Sequence, residues 1–419
     1  MQTEVYGYGS AAHSGEDLKD TVANYMFQEF SDRVDYIGSQ FRSDVSFRQC
    51  HFFSTVSFQH VYFHTKASFS ESTFESASIF AEARSNGVLS FSQCVFKDSC
   101  LFWWAHFENS HPWVYSANFD NVRFEELADF YAATFDNSAY FGDANFYDRA
   151  DFSYATFDKR LDFRRAQFYE SALFVGMTLP DTLDLRAVRV YGAPLDFRSC
   201  TKPLSGSKCQ VALQGSDVAK ILINSENFEL LFHDKRVGAF RGQSDTVDTT
   251  FEERLSIFNS ILSQYKRDGL EKSHKILDLE KRAFVYPTLS SFDKFTDRVD
   301  SIWWNYGYDR WLIFLWTIGL LLMCFVVNLF FYGKLSEELY EMKFLTNSRY
   351  KHYGFRTKAF FYPLNTAIYT ITIFFGLRFD MSKLYAGSAT THPRLLLLLL
   401  FDYVVGLVCV GFLVNYVLS

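Results

Sequence analysis

Apolar residues along the first half of the chain keep a fixed rhythm. Phe stands at 41, 47, 52, 58, 63, 69, 74 and 80, in steps that alternate between six and five residues, so the period is eleven. After an irregular patch the rhythm gives Phe91, Phe96, Phe102 and Phe107, slips by one residue near His111-Pro112, and resumes at Phe119. It runs on through Phe124, Phe130, Phe135, Phe141, Phe146, Phe152, Phe157, Phe163, Phe168 and Phe174, then fades into Leu179, Leu185 and Val190. Two residues before each Phe stands a small or apolar residue, such as Ala128, Ala133, Ala139 and Ala144, or Cys50, Cys94 and Cys100. Residues i and i−2 of an extended segment share one face. The pattern therefore predicts short strands that each point a small residue and a Phe inward, with the polar residues between them turning corners. One coil cannot bury its apolar face alone, but stacked coils shield one another. The expectation over 34–200 is a β-solenoid of four-sided coils, each made of two eleven-residue units; a flattened coil of one unit is the alternative. At ~4.8 Å per coil, about seven coils would make a rod roughly 34 Å long.

The flanking patterns are helical. In the N-terminal segment 1–33, SGEDLKDTVANYMFQEF places Leu18, Val22, Tyr25, Met26 and Phe30 at helical spacing with acids in the first turn. This predicts an amphipathic helix over 14–30, either capping the first coil and its strand edge or acting as a regulatory arm for a protein partner. After Cys200 the Phe rhythm stops at the turn-rich KPLSGSKCQVALQGSD, the start of a connector over 201–300. There Leu255, Phe258, Ile261 and Leu262 form one stripe and Ile276, Leu277, Leu279 and Phe284 a second, separated by Asp268-Gly269, which predicts two antiparallel helices.

The last segment, 301–419, changes character again. WLIFLWTIGLLLMCFVVNLFFY at 311–332 carries no charge and is long enough to cross a ~30 Å hydrocarbon core. A second apolar run at 395–418 contains a single acid, Asp402, and Asn415 near its end. Between them, the apolar stretch after Pro363 is short for a span and suits a re-entrant segment over 362–380. Trp303, Trp304, Tyr306, Tyr308 and Trp311 form the aromatic belt expected where a helix enters the headgroup region. These runs predict an integral membrane protein in contact with the lipid bilayer, and an acid inside a span predicts a residue facing the bundle interior or water.

Composition sharpens this picture. The 419 residues include 48 Phe and 25 Tyr but only 7 Pro and 21 Gly, which excludes disorder and collagen-like structure. A net charge of −7 argues against a general nucleic-acid binder. The seven Cys form neither CxxC pairs nor Cys/His ligand spacings, so the expectation is reduced thiols, no metal and no cofactor. No P-loop, GxSxG, HExxH or clustered carboxylate motif marks an enzyme. The N-terminus has no secretory signal pattern, which places the solenoid in the cytoplasm and the spans in the cell inner membrane. On that topology the segment 333–394 faces outward, although it holds Lys334, Lys343, Arg349, Lys351, Arg356, Lys358, Arg378, Lys383 and Arg394, against the positive-inside tendency.

Two resemblances follow from these residues. ADFYAATFDNSAYFGDANFYDRADFSYATF resembles the pentapeptide-repeat family, whose central Phe or Leu and preceding small residue fill a right-handed parallel β-helix. The order of helix, re-entrant helix, glycine-bearing loop and second helix resembles the two-transmembrane pore-loop channels. That resemblance implies pore or filter roles for Thr370, Phe374, Gly376, Arg378 and Asp380, inner-helix roles for Asp402 and Asn415, and a homo-oligomer, a tetramer above all. Thr-Val-Gly-Tyr-Gly is absent and Arg378 adds a positive charge, so a passage without potassium selectivity, and favouring anions, is expected. A solenoid sensor before a compact pore is also similar in architecture to membrane effectors of anti-phage signalling of the Hailong type, which implies a nucleotide or oligonucleotide signal. The other class that fits is a membrane-tethered interaction scaffold without conduction.

Overall fold

The computed structural model describes residues 17–18, 23–108, 115–232, 249–338, 355–376 and 393–418. The chain divides into two units, Met1–Phe284 and Val285–Ser419.

The first unit is a parallel β-solenoid whose short strands stack into parallel sheets of seven, ten, eight and seven strands, with a two-stranded sheet of Leu195–Asp196 and Ile221–Leu222. Pairing partners such as Gln40 and Tyr62, Ala67 and Leu89, or Thr73 and Val95 lie 22 residues apart. The coil is therefore the four-sided one, and the eleven-residue coil is excluded. Most Phe land on a Phe of the next coil, although Ser85 interrupts one column between Phe63 and Phe107. Phe47, Phe69, Phe91, Phe119 and Phe141 form one column with ring centroids 4.8–5.1 Å apart. Tyr36, Phe58, Phe80, Phe102, Phe130 and Phe152 form the next, and the two columns meet edge to face, as in Phe119 against Phe130 at 5.2 Å and 85°. Offset stacks and edge-to-face contacts are the favoured aromatic arrangements, worth about 0.5–1.5 kcal/mol per pair beyond area burial. Ala105, Ala133, Ala144, Ala155 and Ala166 are small because the chain folds tightly beside these rings, and all are buried.

Corners recur with the same period. Gln49, Glu71, Gln93, Asn121, Asp143, Arg165 and Ala187 all take left-handed φ values of 56–65°, and His60, Glu82, Trp104, Ala132 and Tyr154 do so at another corner. Stacking over-determines this sparsely populated conformation, because each corner amide is hydrogen-bonded to the coil above, as Glu71 N is to the Ser92 carbonyl at 2.8 Å.

Three expectations change. The slip near His111-Pro112 is larger than one residue: Val95 pairs with Arg123, a step of 28 in place of 22, and the strands on either side keep register. The N-terminal amphipathic helix is not what the described residues form. Asp17–Leu18, Ala23–Asn24 and Glu29–Phe30 are strands of a first coil, and Phe30 stacks on Phe52 at 4.8 Å. Leu18 lies in one of these strands and Met26 in a corner turn, whereas Val22 lies outside the described residues. Helical spacing and a 5/6 alternation overlap over so short a stretch, and the ladder offered by the next coil decides between them. The solenoid also continues past Cys200: Cys209–Ala212 pairs with Thr182–Asp184 and with Phe228–Leu230. Its last coils carry Leu, Val and Ile in place of Phe, so the aromatic signal ends before the fold does.

The helical cap stands at the C-terminal end instead. Helix α1 (Phe251–Arg267) and helix α2 (Glu271–Val285) are the expected antiparallel pair. Ile257, Phe258, Ile261, Leu262 and Tyr265 of α1 and Leu277 of α2 join the solenoid core. Gln264 Nε2 donates to the Val218 carbonyl at 2.7 Å, Ser225 and Tyr265 hydroxyls meet at 3.2 Å, and Arg198 pairs with Asp268 at 3.0 Å. This covers an edge that would otherwise template pairing with another chain.

In the second unit, α3 (Ser291–Trp304) precedes α4 (Leu312–Glu338), α5 (Phe355–Phe374) and α6 (Pro393–Leu418). Two of these are long and apolar enough to cross a membrane, through Leu312–Phe331 and Leu397–Val414. Their outward residues are apolar, as at Phe330, Ile318, Leu397 and Leu407. Helix α5 begins seven residues before the expected re-entrant segment and runs through Pro363.

Candidate membrane-embedded site

Three helices of otherwise apolar sequence each bring one polar side chain to the same place. Asn328 of α4 donates through Nδ2 to Asp402 Oδ2 of α6 at 2.6 Å and to Thr370 Oγ1 of α5 at 3.1 Å. The Thr370 hydroxyl donates to the Thr366 carbonyl at 2.8 Å, and that of Thr366 to the Tyr362 carbonyl at 2.8 Å. All three side chains are at most 1 % exposed. A charged or amide group is costly in hydrocarbon, so such residues turn inward and find each other. Asp402 Oδ1 and Asn328 Oδ1 have no hydrogen-bond partner.

Contacts on either side of this cluster set the direction of each helix. Toward one end, Tyr369 of α5 clusters with Leu335 of α4 and Leu399 of α6. Toward the other, Phe374 packs with Cys324 of α4 and Cys409 of α6, and the Phe374 carbonyl lies directly against Gly406, where a Cβ would overlap it. Moving forward along α5 thus moves backward along α4 and forward along α6. Helix α5 is antiparallel to α4 and parallel to α6, although it directly precedes α6 in sequence. Its end is also internal: Gly376, in the left-handed conformation at φ 68°, closes α5 beside Tyr403, level with the middle of both apolar spans. Gly suits a C-terminal cap of this kind because it has no Cβ to clash.

Of the residues singled out from sequence, Thr370, Phe374 and Asp402 are brought together, but Thr370 and Phe374 are buried between helices of one chain and do not border an open passage within it. Gly376 is a helix cap. Arg378 and Asp380 lie outside the described residues, and Asn415 lies in α6. The sequence reading missed Asn328, although a lone amide in the run FVVNLFF carries the same signal as Asp402. It also missed Gly406, whose role is visible only once Phe374 is packed against it.

Among the described residues no group of His, Cys, Asp and Glu could hold a metal ion, and all seven Cys are free and buried. Residues 119–173 match the family model for pentapeptide repeats (9 copies). No curated protein and no solved structure matches the chain. Among the described residues, the chain is thus a β-solenoid containing pentapeptide repeats followed by six α-helices, two of which could span a membrane.

Proposed function

We propose that this protein is an oligomeric membrane channel whose pathway is built around α5 and α6 and whose opening is controlled through the β-solenoid. One observation carries the reading: α5 runs parallel to α6 and ends level with the middle of the apolar layer. A third plain span would reach the far side and leave α6 to return antiparallel to it. Here α6 instead begins on the side from which α5 came, as after a re-entrant segment. Backbone that leaves a helix at mid-depth is tolerated only where protein buries it or water lines it. Three helices cannot enclose a passage, so several copies, four by the resemblance to pore-loop channels, supply the walls. The topology belongs to the same proposal, with the solenoid cytoplasmic and the segment between α4 and α6 outside.

Planar-bilayer recording of the purified full-length protein tests this. Discrete conductance that Gly406→Val abolishes is expected, because the added side chain drives α5 away from α6. Arg378→Glu should move the reversal potential in asymmetric potassium chloride toward cation preference if Arg378 faces the passage. Inserted, oligomeric protein that stays silent would leave the second reading, a membrane-tethered scaffold presenting a solenoid to protein partners.

A further inference from the structure

The helix before the first span leaves an apolar face uncovered. In α3, Phe292, Phe295, Val299 and Ile302 recur at helical spacing and form one stripe, with Phe292 72 %, Phe295 65 % and Ile302 53 % exposed. Asp293, Asp297, Asp300 and Ser301 lie on the opposite side. Ser290 caps the helix by accepting from Asp293 N at 3.2 Å. A free helix of fourteen residues with so much exposed apolar surface is marginal in water.

The C-terminal end of α3 is held at the edge of the apolar layer. The Trp303 ring stacks on Trp316 in the second turn of α4 at 6.2 Å and 15°, and lies 5.2 Å from Phe412 near the end of α6. Trp316 Nε1 donates to the Ile302 carbonyl at 2.8 Å. The elbow that follows is equally pinned: Asn305 and Tyr306 take left-handed φ values of 50° and 55°, and the Tyr306 hydroxyl donates to Asp297 at 3.0 Å. The packed edge of α3 is continuous with the apolar surface of α4, and its free stripe lies next to that edge.

From this we infer that α3 is an interfacial helix, whose Phe292, Phe295, Val299 and Ile302 stripe is buried in the bilayer surface on the side where the chain enters α4. The occupant is lipid. Three acids, Asp293, Asp297 and Asp300, outnumber the two bases Lys294 and Arg298, so apolar burial and not attraction to anionic headgroups holds the helix there. A zwitterionic membrane suffices. The inference rests on the membrane reading above and adds a second, non-spanning contact with the bilayer.

Spin-label accessibility in the full-length protein tests it, reconstituted in phosphatidylcholine vesicles. The native cysteines are buried, so a label reports the introduced thiol. Labels at Phe292→Cys, Phe295→Cys and Ile302→Cys should collide severalfold more with oxygen than with a water-soluble nickel chelate. Labels at Asp293→Cys and Ser301→Cys should show the reverse. A label at Phe330→Cys on α4 serves as the reference. If Phe330 is in lipid while both faces of α3 are aqueous, or the stripe is shielded from both reagents by another protein surface, the α3 inference fails alone. If Phe330 is itself aqueous, the membrane reading fails with it.

Discussion

Buried carboxylates are handled in opposite ways in the two units. In the solenoid, Asp162 and Asp184 are fully buried neighbours in successive coils. Arg164 Nε donates to Asp162 at 3.0 Å, Arg186 Nε and Nη2 to Asp184 at 2.9 and 2.8 Å, and Arg160 Nη2 to Asp184 at 2.7 Å. In the membrane unit, Asp402 receives one neutral amide, from Asn328, and keeps Oδ1 unpaired. The solenoid stacks a carboxylate and its guanidiniums at the same position in two successive coils, near water that the arginine tips still reach. The bundle has no repeat to lean on, so a few contacts between helices carry the load. Stability in the first unit is spread over many equivalent neighbours, whereas geometry in the second depends on a few places.

The largest effect should come from emptying an aromatic column. Phe130 stacks between Phe102 and Phe152, 5.0 Å from each, and Phe130→Ala should cost about 3–5 kcal/mol in urea unfolding. Phe141→Ala should cost nearly the same; a strong inequality would break the picture of equivalent coils. Asp184→Ala strands Arg160 and Arg186 and should cost about 3 kcal/mol, at the lower end for a broken buried pair because the guanidiniums retain some solvent. Smaller again is Gly406→Ala, where overpacking against the Phe374 carbonyl should cost about 1–3 kcal/mol in the membrane unit. It should leave the solenoid transition unmoved.

Asp402→Leu should cost only about 0.6–1.7 kcal/mol of helix association, the range of interhelical hydrogen bonds in membranes. Asn328→Leu should cost more, because it removes the donor to both Asp402 and Thr370. Detergent-denaturation midpoints compare the two, and the reverse order would deny Asn328 its central place. Least of all should change on adding a thiol reagent at pH 8. Burial pushes the Cys50 thiol up to about 11 and the Cys200 thiol up to about 12 from 9.0, so neither should react before unfolding. The folded state then holds protons that the unfolded chain releases, so these thiols favour folding fully below pH 9. That contribution fades between pH 9 and the folded values.

The solenoid was legible because every coil repeats the same statement. A Phe every five or six residues, with a small residue two places earlier, names strand, face and corner at once; only the ends and the size of the slip near His111-Pro112 misled. At the N-terminus the expected helix spans too few repeats to be distinguished from a first coil, and after Cys200 the smaller Leu195, Val211 and Ile221 fill the core without an aromatic marker. In the second unit, length and apolarity sufficed for the two helices long enough to cross a membrane, and Asp402 stood out as an acid in an apolar run. Its partner Asn328 lies 74 residues away, and no local rule pairs two such positions.

What the sequence alone determined is therefore the periodic part: a β-solenoid, two long apolar helices, an aromatic belt before the first and a turn-broken helical pair after the coils. These follow from side-chain periodicity and hydrophobic length, which act within one coil or one helix. Tertiary structure alone decided that the coil holds 22 residues, that the helical pair caps the end of the core, and that α5 runs parallel to α6 and stops at Gly376, with the Phe374 carbonyl against Gly406. Each depends on which surfaces meet across long stretches of chain: backbone ladders must close, buried polar atoms must find donors, and only a glycine lets the Phe374 carbonyl approach a helix so closely.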